Sequence, residues 1–181
     1  KNGELCVISK DLTKAIKATH IAPDLLTAIE NWEQVTKDLS ELYNKLNAGE
    51  IKDSFQVKVE DFCSALPRTW LFADGSAFIQ HIKLVRKARN AALPETLLTV
   101  PLMYQGECGQ FLAPTEAIPQ RDFTHGTDFE AEVGVIVQNT PMGVTADEAL
   151  KKIALVVLIN DVSLRGLIPE ELAAGFGFFQ S

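Results

Sequence analysis

Glu130 and Glu132 stand two residues apart in the run Asp128-Phe129-Glu130-Ala131-Glu132-Val133-Gly134-Val135-Ile136-Val137, which reads as a β-strand. Alternation on a pleated strand sends Asp128, Glu130 and Glu132 to one face and Phe129, Ala131 and Val133 to the other. The two Glu Cα atoms are then roughly 6–7 Å apart, with their side chains pointing the same way. Carboxylates held that close repel unless one takes a proton, water screens them, or a cation lies between them. A solvated strand face that happens to carry two Glu is the commonplace alternative. What weighs against it is the set of acids and histidines elsewhere in the chain.

Asp161 ends the apolar strand Leu155–Ile159 and is followed by Val162-Ser163-Leu164-Arg165. An Asp in that position, buried without a metal or another cation as partner, would be costly. Asp74 and His81 are seven residues apart. If 77–90 runs as a helix with Asp74 as its N-cap, a seven-residue step brings the two back to nearly the same face. Both could then look into one site, although a capping Asp and a packed His would explain them equally well. Tyr104 and Gln105 lie in an extended connection and could line a site. His125, just before the acidic strand, is a candidate for supporting a ligand rather than being one.

The elements that must position these groups follow from pattern. Leu5–Ile8 reads as a strand, preceded by a turn at Lys1-Asn2-Gly3 whose earlier strand is not present. Leu25, Ile29, Trp32, Val35, Leu39, Leu42 and Leu46 recur at helical spacing, predicting one amphipathic helix over 23–47 with Pro23 in its first turn and Gly49 closing it. Ser54–Val59 alternates like a strand. The C-terminal half of Asp128–Val137 and the strand Leu155–Ile159 are nearly all apolar, as strands buried on both faces should be. Thr145-Ala146-Asp147-Glu148 is a capping box opening a helix over 146–153. A further helical turn starts at Pro169, and the glycine-rich, aromatic run 175–181 ends inside what reads as a structured element.

Composition sets the bounds. The chain has 181 residues, 46% apolar and 23% charged, as an ordinary globular protein does. A formal charge of −7 argues against a nucleic-acid surface, and Lys83, Arg86, Lys87 and Arg89 read as a solvated helix face. The three cysteines, Cys6, Cys63 and Cys108, lack metal-type spacing and are odd in number, which points to a reducing, cytoplasmic setting. No apolar run is long enough to span a membrane, and no signal peptide is recognisable. The expectation is a soluble cytoplasmic protein.

The motifs Asp128-Phe129-Glu130-Ala131-Glu132, Asn160-Asp161-Val162-Ser163-Leu164-Arg165 and Gly175-Phe176-Gly177-Phe178-Phe179-Gln180-Ser181 closely resemble the fumarylacetoacetate hydrolase family. Asp74-Gly75-Ser76-Ala77-Phe78-Ile79-Gln80-His81 and Pro101-Leu102-Met103-Tyr104-Gln105-Gly106 match its pattern too, and the motifs fall in the family's order. The resemblance implies an α+β fold: a small N-terminal α/β domain over 1–65, then the first part of a mixed β-roll catalytic domain with flanking helices over 66–181. It also implies a homodimer. By resemblance, Asp74, Glu130, Glu132 and Asp161 would bind Mg²⁺ or Ca²⁺, with Mn²⁺ a further candidate. An all-oxygen set suits such hard cations independently. His81 would be the general base, and Tyr104 and Arg165 would contact substrate.

The implied activity is hydrolysis of a carbon–carbon bond in a β-diketo acid, fumarylacetoacetate or an acylpyruvate, as in aromatic amino-acid catabolism. Decarboxylation or keto–enol isomerisation of a related oxo acid would use the same enolate without an attacking water. A non-catalytic ligand-binding or dimerisation module of the same fold is the alternative outside enzymes. Two departures stand out. The Lys that the family places directly after Gln180-Ser181 would be residue 182, and its partner Glu for the histidine lies further on. Glu107-Cys108-Gly109 also stands where a Gly-Ser-Asp-like sequence is expected. Residues 1 to 181 alone are accordingly expected to be truncated on the C-terminal side, poorly folded and inactive.

Overall fold

The computed structural model describes residues 3–175 and 177–181; Lys1 and Asn2 of the expected opening turn, and Phe176 of the aromatic run, lie outside the described residues. The chain divides into two units. The first comprises Lys1–Arg68, Phe111–Arg121 and Phe129–Val162, and the second Thr69–Gln110, Asp122–Asp128 and Ser163–Ser181. Among the described residues the architecture is mixed α/β, with four small antiparallel sheets and five α-helices.

In the first unit, β1 (Cys6–Ile8), β2 (Lys14–Lys17) and β3 (Phe55–Gln56) form an antiparallel sheet in that order. The β1–β2 connection is tied by Asp11. Its Oδ1 accepts from the Ser9 hydroxyl at 2.6 Å and from both the backbone and hydroxyl of Thr13. Those bonds, the Ser9 hydroxyl foremost, pull the Asp11 carboxyl down to about 2.

The expected single helix is two: α1 (Leu25–Glu30) and α2 (Trp32–Asn47). Asp24 caps α1 by accepting the Thr27 N–H at 2.8 Å, so Pro23 precedes the cap rather than filling the first turn. Asn31, at φ −118 and ψ 30, leaves helical geometry and breaks the run. The apolar stripe nevertheless does its work. Leu5, Ala18, Ala22, Ala28 and Val35 form a buried cluster, with Val7, Ile21, Leu25, Trp32, Leu39 and Leu42 packed against it.

The same unit holds the hairpin of β7 (Ala131–Val137) and β8 (Ile153–Asn160). The two pair antiparallel from Ala131↔Asn160 to Ile136↔Leu155, with an irregularity at Ile136/Val137. The Thr145/Glu148 capping box is present and starts α4 (Ala146–Leu150) between them. That helix ends before Ile153, which already belongs to β8.

Two expectations fail here. The acidic run is not one strand, since β6 (Thr127–Asp128) pairs with β9 (Ser163–Leu164) whereas β7 pairs with β8. Nor are the apolar strands buried on both faces. Val133 is 74% exposed and Leu158 88%, because β7 and β8 pair only with each other and nothing described covers that side.

In the second unit, β4 (Ala73–Ser76) pairs antiparallel with β5 (Leu102–Gln105), placing Asp74 directly opposite Tyr104. Helix α3 (Ile79–Ala88) follows β4, and α5 (Ile168–Ala174) follows β9 with Pro169 at its start. Among the described residues, no helix is long and apolar enough to cross a membrane.

Candidate metal centre

Strand alternation puts Glu130, Glu132, Gly134 and Ile136 on the half-buried side of the first unit's hairpin, while Ala131, Val133, Val135 and Val137 face outward. Glu132 is positioned by the β7–β8 ladder, opposite Ile159. Asp161 follows the last residue of β8, and its N–H donates to the Glu130 carbonyl at 2.9 Å. The Glu130 N–H in turn donates to Asn160 Oδ1 at 3.3 Å. These bonds hold Glu130 and Asp161 across from one another. Carboxylate oxygens of Glu132 and Asp161 lie within 4.8 Å of each other, both residues being half-buried. Two anions at that distance, partly out of water, repel strongly. Their oxygen donors suit a hard divalent cation, which would relieve that repulsion. Glu130 does not bring its own carboxylate within the same reach of both.

In the second unit, Asp74 is not a helix cap. It sits within β4, and the residue preceding α3 is Phe78, which makes no side-chain cap. The Asp-Gly-Ser sequence that imitates a capping signal is drawn instead into a four-residue ladder with β5. The helical seven-residue step therefore does not relate Asp74 to His81. His81 lies in the first turn of α3 and is half-buried. Tyr104, opposite Asp74, packs its ring on Phe178 at 5.3 Å between centroids, tilted by 58°.

Arg165 comes directly after β9, and its Nε donates to Asp128 Oδ2 at 3.0 Å. Its backbone is pinned as well. The Arg165 N–H donates to Gly126 O at 3.0 Å, and the Gly166 N–H to His125 O at 2.8 Å. Gly166 allows that approach, since a Cβ there would meet the Thr124 carbonyl oxygen at 2.5 Å. The His125 carbonyl thus helps to hold the backbone after Arg165. Burial first, then the charges of Arg86 and Arg165, push the Arg89 guanidinium below its ordinary value.

Residues 1–68 match the family described as fumarylacetoacetase N-terminal domain 2, and residues 70–181 match the fumarylacetoacetate hydrolase C-terminal domain. The chain belongs to the fumarylacetoacetate hydrolase family. It is also similar to 2,4-didehydro-3-deoxy-L-rhamnonate hydrolase of Sphingomonas sp. (strain SKA58), at 41% identity over 68 residues. That match covers 37% of this chain and 24% of the relative.

Three contacts are not legible in the motifs that contain their residues: Asn160 Oδ1 accepting the Glu130 N–H, Asp128 holding Arg165, and Phe178 packing on Tyr104. Each joins residues 30 or more positions apart in sequence, a pairing that no local pattern encodes. Glu107-Cys108-Gly109 makes a local turn in which the Gly109 N–H donates to Glu107 Oε1. The half-buried Cys108 contributes its carbonyl there, accepting the Thr69 N–H at 2.9 Å.

Proposed function

We propose that this chain carries the catalytic centre of a divalent-metal-dependent hydrolase that cleaves a carbon–carbon bond in a 2,4-dioxo acid of the acylpyruvate type. The observation that carries the reading is the half-buried approach of Glu132 and Asp161, whose oxygens suit Mg²⁺ or Ca²⁺. Glu130 and Asp74 complete the ligand set in this reading. The small sheets are read as parts of a β-roll. The relative's name describes an aldonate with oxo groups at C2 and C4, a β-diketone flanked by a carboxylate, which supports the substrate class.

The residues divide the work. Arg165, its guanidinium oriented by Asp128, takes the substrate carboxylate. Tyr104 offers its hydroxyl to a substrate oxygen. His81 removes a proton from water, a task within reach of an imidazole near neutral pH. The resulting hydroxide adds to the distal carbonyl carbon, and the bond from that carbon to the central methylene breaks. The distal carbon leaves as a carboxylic acid, and the methylene carries the electron pair away as an enolate that is then protonated. A divalent cation held by the carboxylates of the ligand set would supply Lewis-acid polarisation and positive charge for the developing anion.

Steady-state assay of a small acylpyruvate panel on the natural full-length protein tests this. Hydrolysis to two carboxylic acids, abolished by a chelator and restored by Mg²⁺ or Ca²⁺, is expected. Absence of turnover across the panel with Mg²⁺, Ca²⁺ and Mn²⁺ would overturn the reading.

A further inference from the structure

Glu171, in α5, gathers four donors on one carboxylate. Its Oε1 accepts the Gln180 N–H at 2.6 Å, and its Oε2 accepts the Ser181 hydroxyl at 2.6 Å. Oε2 also accepts the N–H groups of Phe179 at 3.2 Å and Ser181 at 3.3 Å. Three successive backbone amides and a hydroxyl converging on a single anion form an anion-binding nest. Gly175 and Gly177, at φ +79 and +82, allow the turns that follow α5. The preceding residue, Glu170, is exposed.

We propose that Glu171 is a positioning residue: its carboxylate clamps the Gly177–Ser181 loop and so holds Phe178 against Tyr104. The chain of contacts is short. Phe178 lies next to the first clamped amide, its ring packs on Tyr104 at 5.3 Å, and Tyr104 pairs with Asp74 across the β4–β5 ladder. Charge-assisted bonds are the stronger kind, and this carboxylate makes four of them. The Ser181 hydroxyl first, opposed next by burial and then joined by the amides of Gln180, Phe179 and Ser181, holds Glu171 below the usual Glu range, so it stays an anion at neutral pH. Glutamine at 171 would keep the length but turn one acceptor oxygen into a donor, setting it against the amides or the hydroxyl.

The catalytic consequence rests on the hydrolase reading, whereas the clamp itself does not. Amide hydrogen exchange at Phe179, Gln180 and Ser181, and the ring-proton shifts of Tyr104, are measured in wild type, E171A, E171Q and E170Q of the full-length protein. Exchange about tenfold faster in E171A, with displaced Tyr104 shifts, a smaller effect in E171Q and none in E170Q, is expected. With an acylpyruvate, kcat should fall about tenfold in E171A at unchanged Mg²⁺ affinity. Unchanged exchange in E171A overturns the clamp. Faster exchange with unmoved Tyr104 shifts and unmoved kcat overturns the positioning role. A wild type that hydrolyses nothing defeats the hydrolase reading, while exchange and ring shifts still decide the clamp.

Discussion

Residues 3–56 bury Leu5, Ala18, Ala22, Ala28 and Val35 together, whereas the β7–β8 hairpin leaves Val133 and Leu158 at 74% and 88% exposure and holds its carboxylates on the half-buried side. Both stretches are rich in apolar residues. In the first, strand and helices close over a core of their own, so the apolar side chains stabilise the fold. In the second, the ladder fixes register and direction, and what it positions is a pair of mutually repelling acids. The apolar core and the paired acids thus lie in different parts of the chain, and substitutions should separate stability from the proposed chemistry.

The largest effect is expected on the chemistry. His81→Ala should lower turnover by roughly 10²–10⁴-fold, with Mg²⁺ affinity and thermal midpoint near wild type. Steady-state kinetics and a melt check both halves; retained hydrolysis would remove His81 as the base. On the stability side, Leu5→Ala should cost about 2–5 kcal/mol by leaving a cavity, without changing Mg²⁺ affinity in the protein that remains folded. Denaturant unfolding measures it, and a loss within 0.5 kcal/mol, about what surface changes give, would deny the N-terminal core its role. Asp24→Ala, which removes the α1 cap, should cost about 1 kcal/mol in the same assay. Smallest of all, Leu158→Ser should change stability by no more than about 0.5 kcal/mol. A loss as large as that of Leu5→Ala would show the hairpin's outer face to be covered in solution, and the comparison would then fail.

The sequence reading succeeds where local chemistry decides the outcome. Thr145 and Glu148 form their capping box because both partners lie within one turn. The amphipathic stripe of α2 likewise finds the core it advertises. The Glu130/Glu132 alternation gives the correct face because a pleated strand has one period. Elsewhere, neighbours distant in sequence override local signals. Asp74 followed by Gly75 and Ser76 reads as a cap, yet pairing with Leu102–Gln105 makes it a strand. Asn31 breaks a helix that the spacing of apolar residues carries straight through. Val133, Val135, Val156 and Leu158 read as buried on both faces, since hydrophobicity announces a need for cover without stating what provides it. The strand Lys14–Lys17 goes unseen because its apolar content is only Ala15 and Ile16, and it is set by pairing with β1 on one side and β3 on the other.

The central claim is that acids gathered on the hairpin hold a divalent cation. Calorimetric titration of Mg²⁺ into full-length wild type, Glu130→Gln, Glu132→Gln and Asp161→Asn tests it most directly. Each substitution removes one negative charge from the cation's surround while keeping side-chain size. Affinity should fall in each by at least the roughly 10–100-fold that loss of an outer partner of a metal ligand costs, with activity falling alongside. Mg²⁺ affinity unchanged from wild type in both Glu132→Gln and Asp161→Asn would contradict the account.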